Sequence, residues 1–206
     1  MFNNLIFFII AYLFGSFPSA WLIVRIASKE DIRGHGSGNV GALNTLRVTK
    51  KKWAGAAALL LDLLKGALPA WYVVSTYGQQ YPLIWVVTAG LILGHSFPVW
   101  LKFKGGRGLA VAAGAMIFFQ PVIIAAWIGI WLFFYVIIRK HIIASLIAAF
   151  ALPLLVFFML DIYFTENVLL LTLITMMMVF QRHLERIPDE VEQKRKAIQN
   201  EVKNGS

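Results

Sequence analysis

The sequence predicts an all-α, polytopic integral membrane protein with seven transmembrane helices, its N-terminus outside and its C-terminus cytoplasmic. Three observations carry that prediction. Hydrophobic residues make up 59% of the 206-residue chain and charged residues only 14%, against about 25% charged in soluble domains. The apolar residues gather in runs long enough to cross a bilayer, which takes about 20 residues of helix. The basic residues lie between those runs, where they report orientation. The net charge of +9 therefore belongs to a membrane topology, and no nucleic-acid partner is expected.

Residues 5–26 are the first run. It starts almost at once, has neither a basic leader nor a small-x-small cleavage site, and is expected as one retained helix. Residues 27–52 form a long irregular segment, of the length at which loops are functional or disordered. Residues 53–77 and 83–101 are the second and third runs. Residues 109–138 exceed one ordinary span and are punctuated by Gln120-Pro121, which interrupts the helical ladder. They form either one kinked helix or two, the first unusually short. Residues 142–160 and 168–180 complete the set.

Charge decides the count. With seven helices and the N-terminus outside, the inside segments collect Arg25, Lys29, Arg33, Arg47 and Lys50-Lys51-Lys52, then Lys102, Lys104 and Arg107, then Arg139-Lys140, then the basic C-terminal segment. Of the 19 basic residues only Lys65, inside the second run, is left over. Six helices would put Arg139-Lys140 and the basic tail outside, against the positive-inside rule. Residues 1–187 read as one membrane domain and 188–206 as a charged cytoplasmic tail, with no internal repeat.

Chemistry concentrates on the inside segments. Gly36-Ser37-Gly38-Asn39-Val40-Gly41, followed by Asn44 and Arg47, matches the spacing of a dinucleotide fingerprint, but that motif has meaning only after a strand in a βαβ unit. What survives is its physics. Glycines let successive backbone N–H groups converge on an anion, Ser37 and Asn39 add side-chain donors, and Arg47 can grip a phosphate bidentately. The plainer alternative is a flexible loop obeying positive-inside. Gly94-His95 leads through Phe97-Pro98-Val99 to Phe103-Lys104-Gly105-Gly106-Arg107-Gly108, two cations among three glycines ahead of a helix start. That is a second anion cradle on the same side, or a glycine-rich interfacial turn with snorkelling side chains.

Asp62 and Lys65 stand three apart on one face of an apolar helix. Ionisable groups at that depth should face the interior and pair or line a polar cavity. Arg182-His183-Leu184-Glu185-Arg186-Ile187 emerges from the last run. His183 there is a base or phosphate ligand, or part of a basic collar. The absence of cysteine removes thiolate nucleophiles, disulfides and Cys-ligated metals. No metal and no cofactor are expected.

Taken in order, these segments resemble the bacterial acyl-phosphate:glycerol-3-phosphate acyltransferases, the PlsY family. The first family motif is similar to Gly36 through Ala42 with Asn44 and Arg47. The second is similar to Gly94-His95, Phe97-Pro98-Val99 and Phe103 through Gly108. The third is similar to Arg182-His183 with Glu185 and Ile187, and Asp62 and Lys65-Gly66 also fall where the family has them. Leu43, Arg107 and Arg186 depart from the family's threonine, lysine and asparagine.

The resemblance implies transfer of a fatty acyl chain from acyl phosphate to the 1-hydroxyl of sn-glycerol 3-phosphate at the cytoplasmic face of the inner membrane, in phospholipid biosynthesis. The products are lysophosphatidic acid and phosphate, and the partners are the two substrates and membrane lipid. Ser37, Lys104 and His183 are the expected catalytic residues. Gly36, Gly38, Asn39, Asn44, Arg47, His95, Gly105, Gly106, Arg107, Arg182 and Glu185 are expected to bind substrate, and Asp62 and Lys65 to line the site or support it. An acyl phosphate is already activated, so no enzyme nucleophile is required. A His-x-x-x-x-Asp dyad is absent, since Val40, Trp100, Leu146 and Pro188 stand five positions after the four histidines. A transporter for a phosphorylated metabolite is the alternative, against which no paired broken helices are apparent.

Overall fold

The computed structural model describes residues 2–160 and 162–184, and among them the protein is built from helices alone. In chain order these are α1 (Phe2–Gly15), α2 (Ser19–Ser28), α3 (Ala42–Thr49), α4 (Lys52–Tyr77), α5 (Tyr81–Ser96), α6 (Leu109–Phe119), α7 (Pro121–Ile138), α8 (His141–Phe158) and α9 (Glu166–Leu184), with 3₁₀ turns at Ile32–Gly34 and Val99–Leu101. Among the described residues four units are long and apolar enough to cross a membrane: Asn4–Ser28, Lys52–Tyr77, Tyr81–Leu101 and Pro121–Ile138. Leu109–Phe119, Ile143–Phe158 and Glu166–Met177 are shorter apolar helices.

The first run is broken, contrary to the single helix expected over 5–26. Helix α1 ends at Gly15 and α2 begins at Ser19, with Pro18 preceding it. Proline has no N–H and closes off the preceding turn. Residues 109–138, where the charge pattern favours two helices over one, form two. Gln120 adopts φ −155°, Pro121 opens α7, and Gln120 Nε2 donates to the Tyr81 hydroxyl at 3.0 Å, tying the turn to the start of α5. The 11 residues of α6 rise only about 16 Å at 1.5 Å per residue, about half of a bilayer core. The segment 27–52, expected to be irregular, contains the short helix α3 and a 3₁₀ turn.

Two close helix pairs organise the bundle, α4 against α6 and α1 against α5, and both depend on glycine. A Cβ on Gly66 of α4 would strike the Val111 carbonyl and lie 2.9 Å from the Ala115 nitrogen of α6, while one on Gly114 of α6 would strike the Leu63 carbonyl of α4. Gly90 and Gly94, four apart on α5, meet the backbone of α1 in the same way. Small residues let helix backbones approach where apolar lipid offers no hydrophobic drive to associate. Helices α7, α8 and α9 build a second apolar cluster around Ile123, Leu152, Val156 and Val168. The outer face of α7 leaves Ile128, Leu132, Phe133, Val136 and Ile137 exposed, as suits a lipid-facing helix.

Candidate active site

The loop from α2 to α3 is held by Asn44, which is almost wholly buried. Its Nδ2 lies within hydrogen-bonding reach of the carbonyls of Ile32 (3.3 Å), His35 (3.1 Å) and Asn39 (3.0 Å), and its Oδ1 accepts from the Ser37 N–H at 2.9 Å. The carboxamide is thus occupied in shaping the glycine-rich loop around it. Gly36 takes φ +59°, and a Cβ there would collide with Asn44 Oδ1. Gly38 takes φ +67°. Ser37 and Asn39 are half-buried on this loop, and the Asn39 Oδ1 is buried with no hydrogen-bond partner among the described residues. Arg47 projects from α3 as an exposed residue.

Asp31 begins the loop and is clamped by Arg33, whose Nε donates to both carboxylate oxygens at 2.9 and 3.2 Å. The hydrogen bonds from the Arg33 guanidinium hold the Asp31 carboxyl well below the usual carboxylate range, against the opposing effect of burial. The same contact raises Arg33 above its ordinary value. Arg33 Nη1 also donates to the Leu101 carbonyl at 3.2 Å, joining this loop to the one between α5 and α6.

That second loop folds back on the end of α5. The N–H groups of Gly105 and Gly106 donate to the carbonyls of Ser96 and His95 at 3.1 and 3.0 Å. A Cβ on Gly106 would overlap the His95 imidazole and lie 2.6 Å from the Val40 carbonyl, so Gly106 is the point at which the two glycine-rich loops meet. The Tyr12 hydroxyl donates to the Phe97 carbonyl at 2.8 Å, and Trp100 Nε1 to Ser16 Oγ at 3.0 Å. Both bind the loop to the end of α1. Arg107 is half-buried and Lys104 exposed, and α6 starts directly after Gly108.

Beneath the junction lies a buried ionic group. Asp62 and Lys65 are 2% and 5% exposed and pair at 2.8 Å, as their spacing predicts. Ser19 Oγ donates to Asp62 Oδ1 at 2.5 Å, which sets the carboxylate at the N-terminus of α2, where the helix dipole favours negative charge. Lys65 Nζ donates to the Phe17 carbonyl at 3.1 Å, within the break between α1 and α2. His95 Nδ1 lies 3.8 Å from Asp62 Oδ1. Ser16, Phe17, Pro18, Ser19, Lys65 and His95 contribute to the walls of a cleft of about 180 Å³. Much of that volume is open to solvent, and the enclosed part, about 10 Å³, is at the lower limit for one water molecule.

The structure therefore gathers Gly36, Ser37, Gly38, Asn39 and Asn44 in one loop and joins it at Gly106 to the loop carrying Lys104, Gly105 and Arg107. It places His95, Asp62 and Lys65 underneath. Arg182 and His183 belong to the last turn of α9. Their side chains, and Glu185 and Arg186 entirely, lie outside the described residues, as does the tail 188–206. Sequence reasoning missed Ser16 and Ser19. The signal for them was a proline flanked by serines inside an apolar run.

A family model described as glycerol-3-phosphate acyltransferase matches residues 5–192. A curated relative of that name from Rhodopseudomonas palustris (strain HaA2) is 44% identical over 147 residues, covering 71% of this chain and 73% of the relative. One from Pelagibacter ubique (strain HTCC1062) is 34% identical over 177 residues, covering 86% and 88%. Among solved structures, the chain is similar to the glycerol 3-phosphate form of PlsY (YgiH), an integral membrane glycerol 3-phosphate acyltransferase. The TM-score is 0.79 and the identity 31%, over 93% of each chain. Similarity to the lysophosphatidic acid form has a TM-score of 0.75 at the same identity and coverage.

Proposed function

This chain belongs to the glycerol-3-phosphate acyltransferase family, and from that premise we propose that it draws its acyl group from an acyl phosphate and transfers it to the 1-hydroxyl of sn-glycerol 3-phosphate. It is an integral membrane acyltransferase of phospholipid synthesis. The C1 hydroxyl oxygen attacks the acyl carbonyl, the bond from that carbon to the phosphate oxygen breaks, and lysophosphatidic acid and inorganic phosphate leave. The hydroxyl proton passes to His183 or to an oxygen of the acyl phosphate. Because the mixed anhydride is already activated, catalysis rests on holding two anionic substrates together and stabilising the oxyanion that develops.

In this assignment the two glycine-rich loops hold the phosphates through Ser37, Asn39 and Lys104, while Gly36, Gly38, Gly105 and Gly106 shape the loops, the N–H groups of Gly38, Gly105 and Gly106 being spent on the carbonyls of His35, Ser96 and His95. Arg107 adds positive charge at the start of α6. Arg47 and His183, with Arg182 and Glu185, engage glycerol 3-phosphate. Asn44 serves through the loop it shapes, and His95, Asp62 and Lys65 support the second loop from below. Seven crossings, with the N-terminus outside and residues 188–206 as a cytoplasmic tail to the 1–187 membrane domain, would put every one of these loops at the cytoplasmic face of the inner membrane. No cofactor or metal enters the reaction.

The observation that carries this reading is the meeting of both glycine-rich loops at Gly106 over the buried His95, Asp62 and Lys65. Lys104→Ala and Arg47→Ala provide the test, assayed as correctly inserted protein in membranes. Each is expected to lose acyl transfer to glycerol 3-phosphate. Normal rates in both would overturn the site assignment.

A further inference from the structure

The break between α1 and α2 and the second glycine-rich loop are far apart in sequence but share one buried set of side chains. Pro18 separates the two helices, and in the break the carbonyl of Phe17 accepts from the Ser19 N–H at 3.0 Å and from Lys65 Nζ at 3.1 Å. Lys65 is held in turn by Asp62 at 2.8 Å, and Asp62 by Ser19 at the head of α2. On its other side Asp62 faces His95 Nδ1 at 3.8 Å. Nε2 of the same ring is directed at Gly106, where even a methyl group would overlap it.

We propose that Ser19 and Asp62, with Lys65 as counter-ion, are positioning residues for acyl transfer: they fix the ring of His95 and, through it, the Gly105-Gly106 turn that sets the loop presenting Lys104 to the donor phosphate. The inference rests on the acyl-phosphate reading above and extends it to residues that touch neither substrate. A buried ion pair with a purely structural role leaves the site unaltered in whatever fraction folds, so its loss lowers kcat and leaves KM alone. A positioning role alters the site itself and moves KM for the substrate held by that loop.

The experiment uses purified full-length protein in lipid, with palmitoyl phosphate and glycerol 3-phosphate varied separately. The variants are Ser19→Ala, the charge-neutral pair Asp62→Asn with Lys65→Met, His95→Asn, and the combination of all but Ser19→Ala. Asp62→Asn/Lys65→Met is expected to raise KM for palmitoyl phosphate about tenfold while KM for glycerol 3-phosphate stays within about twofold, and Ser19→Ala to move the same constant in the same direction by less. In the His95→Asn background the pair should add nothing, the non-additivity of groups that act as a unit. A fall confined to kcat, or effects that multiply fully with His95→Asn, would overturn the inference. Should the pair fail to fold, Ser19→Ala alone decides, since an unchanged KM for palmitoyl phosphate refutes the role. Wild-type protein making no lysophosphatidic acid from palmitoyl phosphate would overturn the donor assignment and this inference together, whereas an active wild type beside such variants overturns the inference alone.

Discussion

Gly106→Ala should cripple the site without a change of charge or polarity. The backbone of Gly106 is not in the left-handed region, so alanine suits its conformation and the cost is purely steric. The added Cβ overlaps His95 Nε2, lies 2.6 Å from Cε1 of the same ring, and lies 2.6 Å from the Val40 carbonyl. Relief requires the imidazole to swing off its 3.8 Å approach to Asp62 or the two loops to part. Overpacking of this kind costs about 1–3 kcal/mol, which corresponds to about a five- to 150-fold loss in kcat/KM if it falls wholly on the transition state. Strain that the loops absorb instead will appear as a lower midpoint of thermal unfolding in detergent. Gly34→Ala is the control, because a Cβ there meets nothing within 4 Å. A Gly106→Ala enzyme with wild-type kcat/KM and wild-type melting would refute the contact between the loops.

Three further outcomes are expected. Asn44→Ala removes a carboxamide that contacts four backbone groups; the Ile32 and His35 carbonyls keep the N–H groups of His35 and Gly38, while the Asn39 carbonyl loses its donor. At about 1–3 kcal/mol for each buried polar group left unpaired, residues 32–39 should lose hydrogen-exchange protection and activity should fall more than about tenfold. Asp31 has its folded value depressed by Arg33, so its contribution is fully present above its unfolded value of about 3.9 and is lost as pH falls through the folded value. The difference in loop protection between wild type and Asp31→Asn should therefore be constant from about pH 5 to 8 and shrink below about pH 4. Gly66→Leu should force α4 from α6 against backbone atoms that cannot yield, lowering the unfolding midpoint well beyond the effect of Gly129→Leu, since a Cβ at Gly129 meets nothing within 4 Å.

Much of this architecture is legible in the sequence wherever the signal is local. Asp62 and Lys65 declare their pairing by spacing alone, because two opposite charges three residues apart in an apolar helix have no better partner than each other. Gln120-Pro121 marks a true break. Proline by itself does not, for Pro69 and Pro153 sit inside α4 and α8 without ending them. Pro18 ends a helix where Lys65, 48 residues away, joins the Ser19 N–H in donating to the carbonyl of Phe17, and nothing near Pro18 announces that distant partner. The acyltransferase family decides against the transporter alternative.

The glycine-rich loops stand out in composition as candidates for holding anions, but the division of labour within them does not. Asn44 reads as one more donor for substrate, yet its carboxamide is turned inward on the loop backbone. Ser19 carries no motif and is visible only once α2 and α4 are packed together. Contacts between residues distant in sequence, such as Arg33 with Leu101 and Gly106 with Val40, are what turn two loops into one site.

The most direct test of the donor is acyl transfer by purified protein in lipid from palmitoyl phosphate to radiolabelled glycerol 3-phosphate, without metal or coenzyme A, beside a parallel reaction supplied with palmitoyl coenzyme A. Lysophosphatidic acid and inorganic phosphate formed in equal amounts from palmitoyl phosphate alone, and lost in Lys104→Ala, is the predicted result. Product from the coenzyme A thioester and none from palmitoyl phosphate would contradict it.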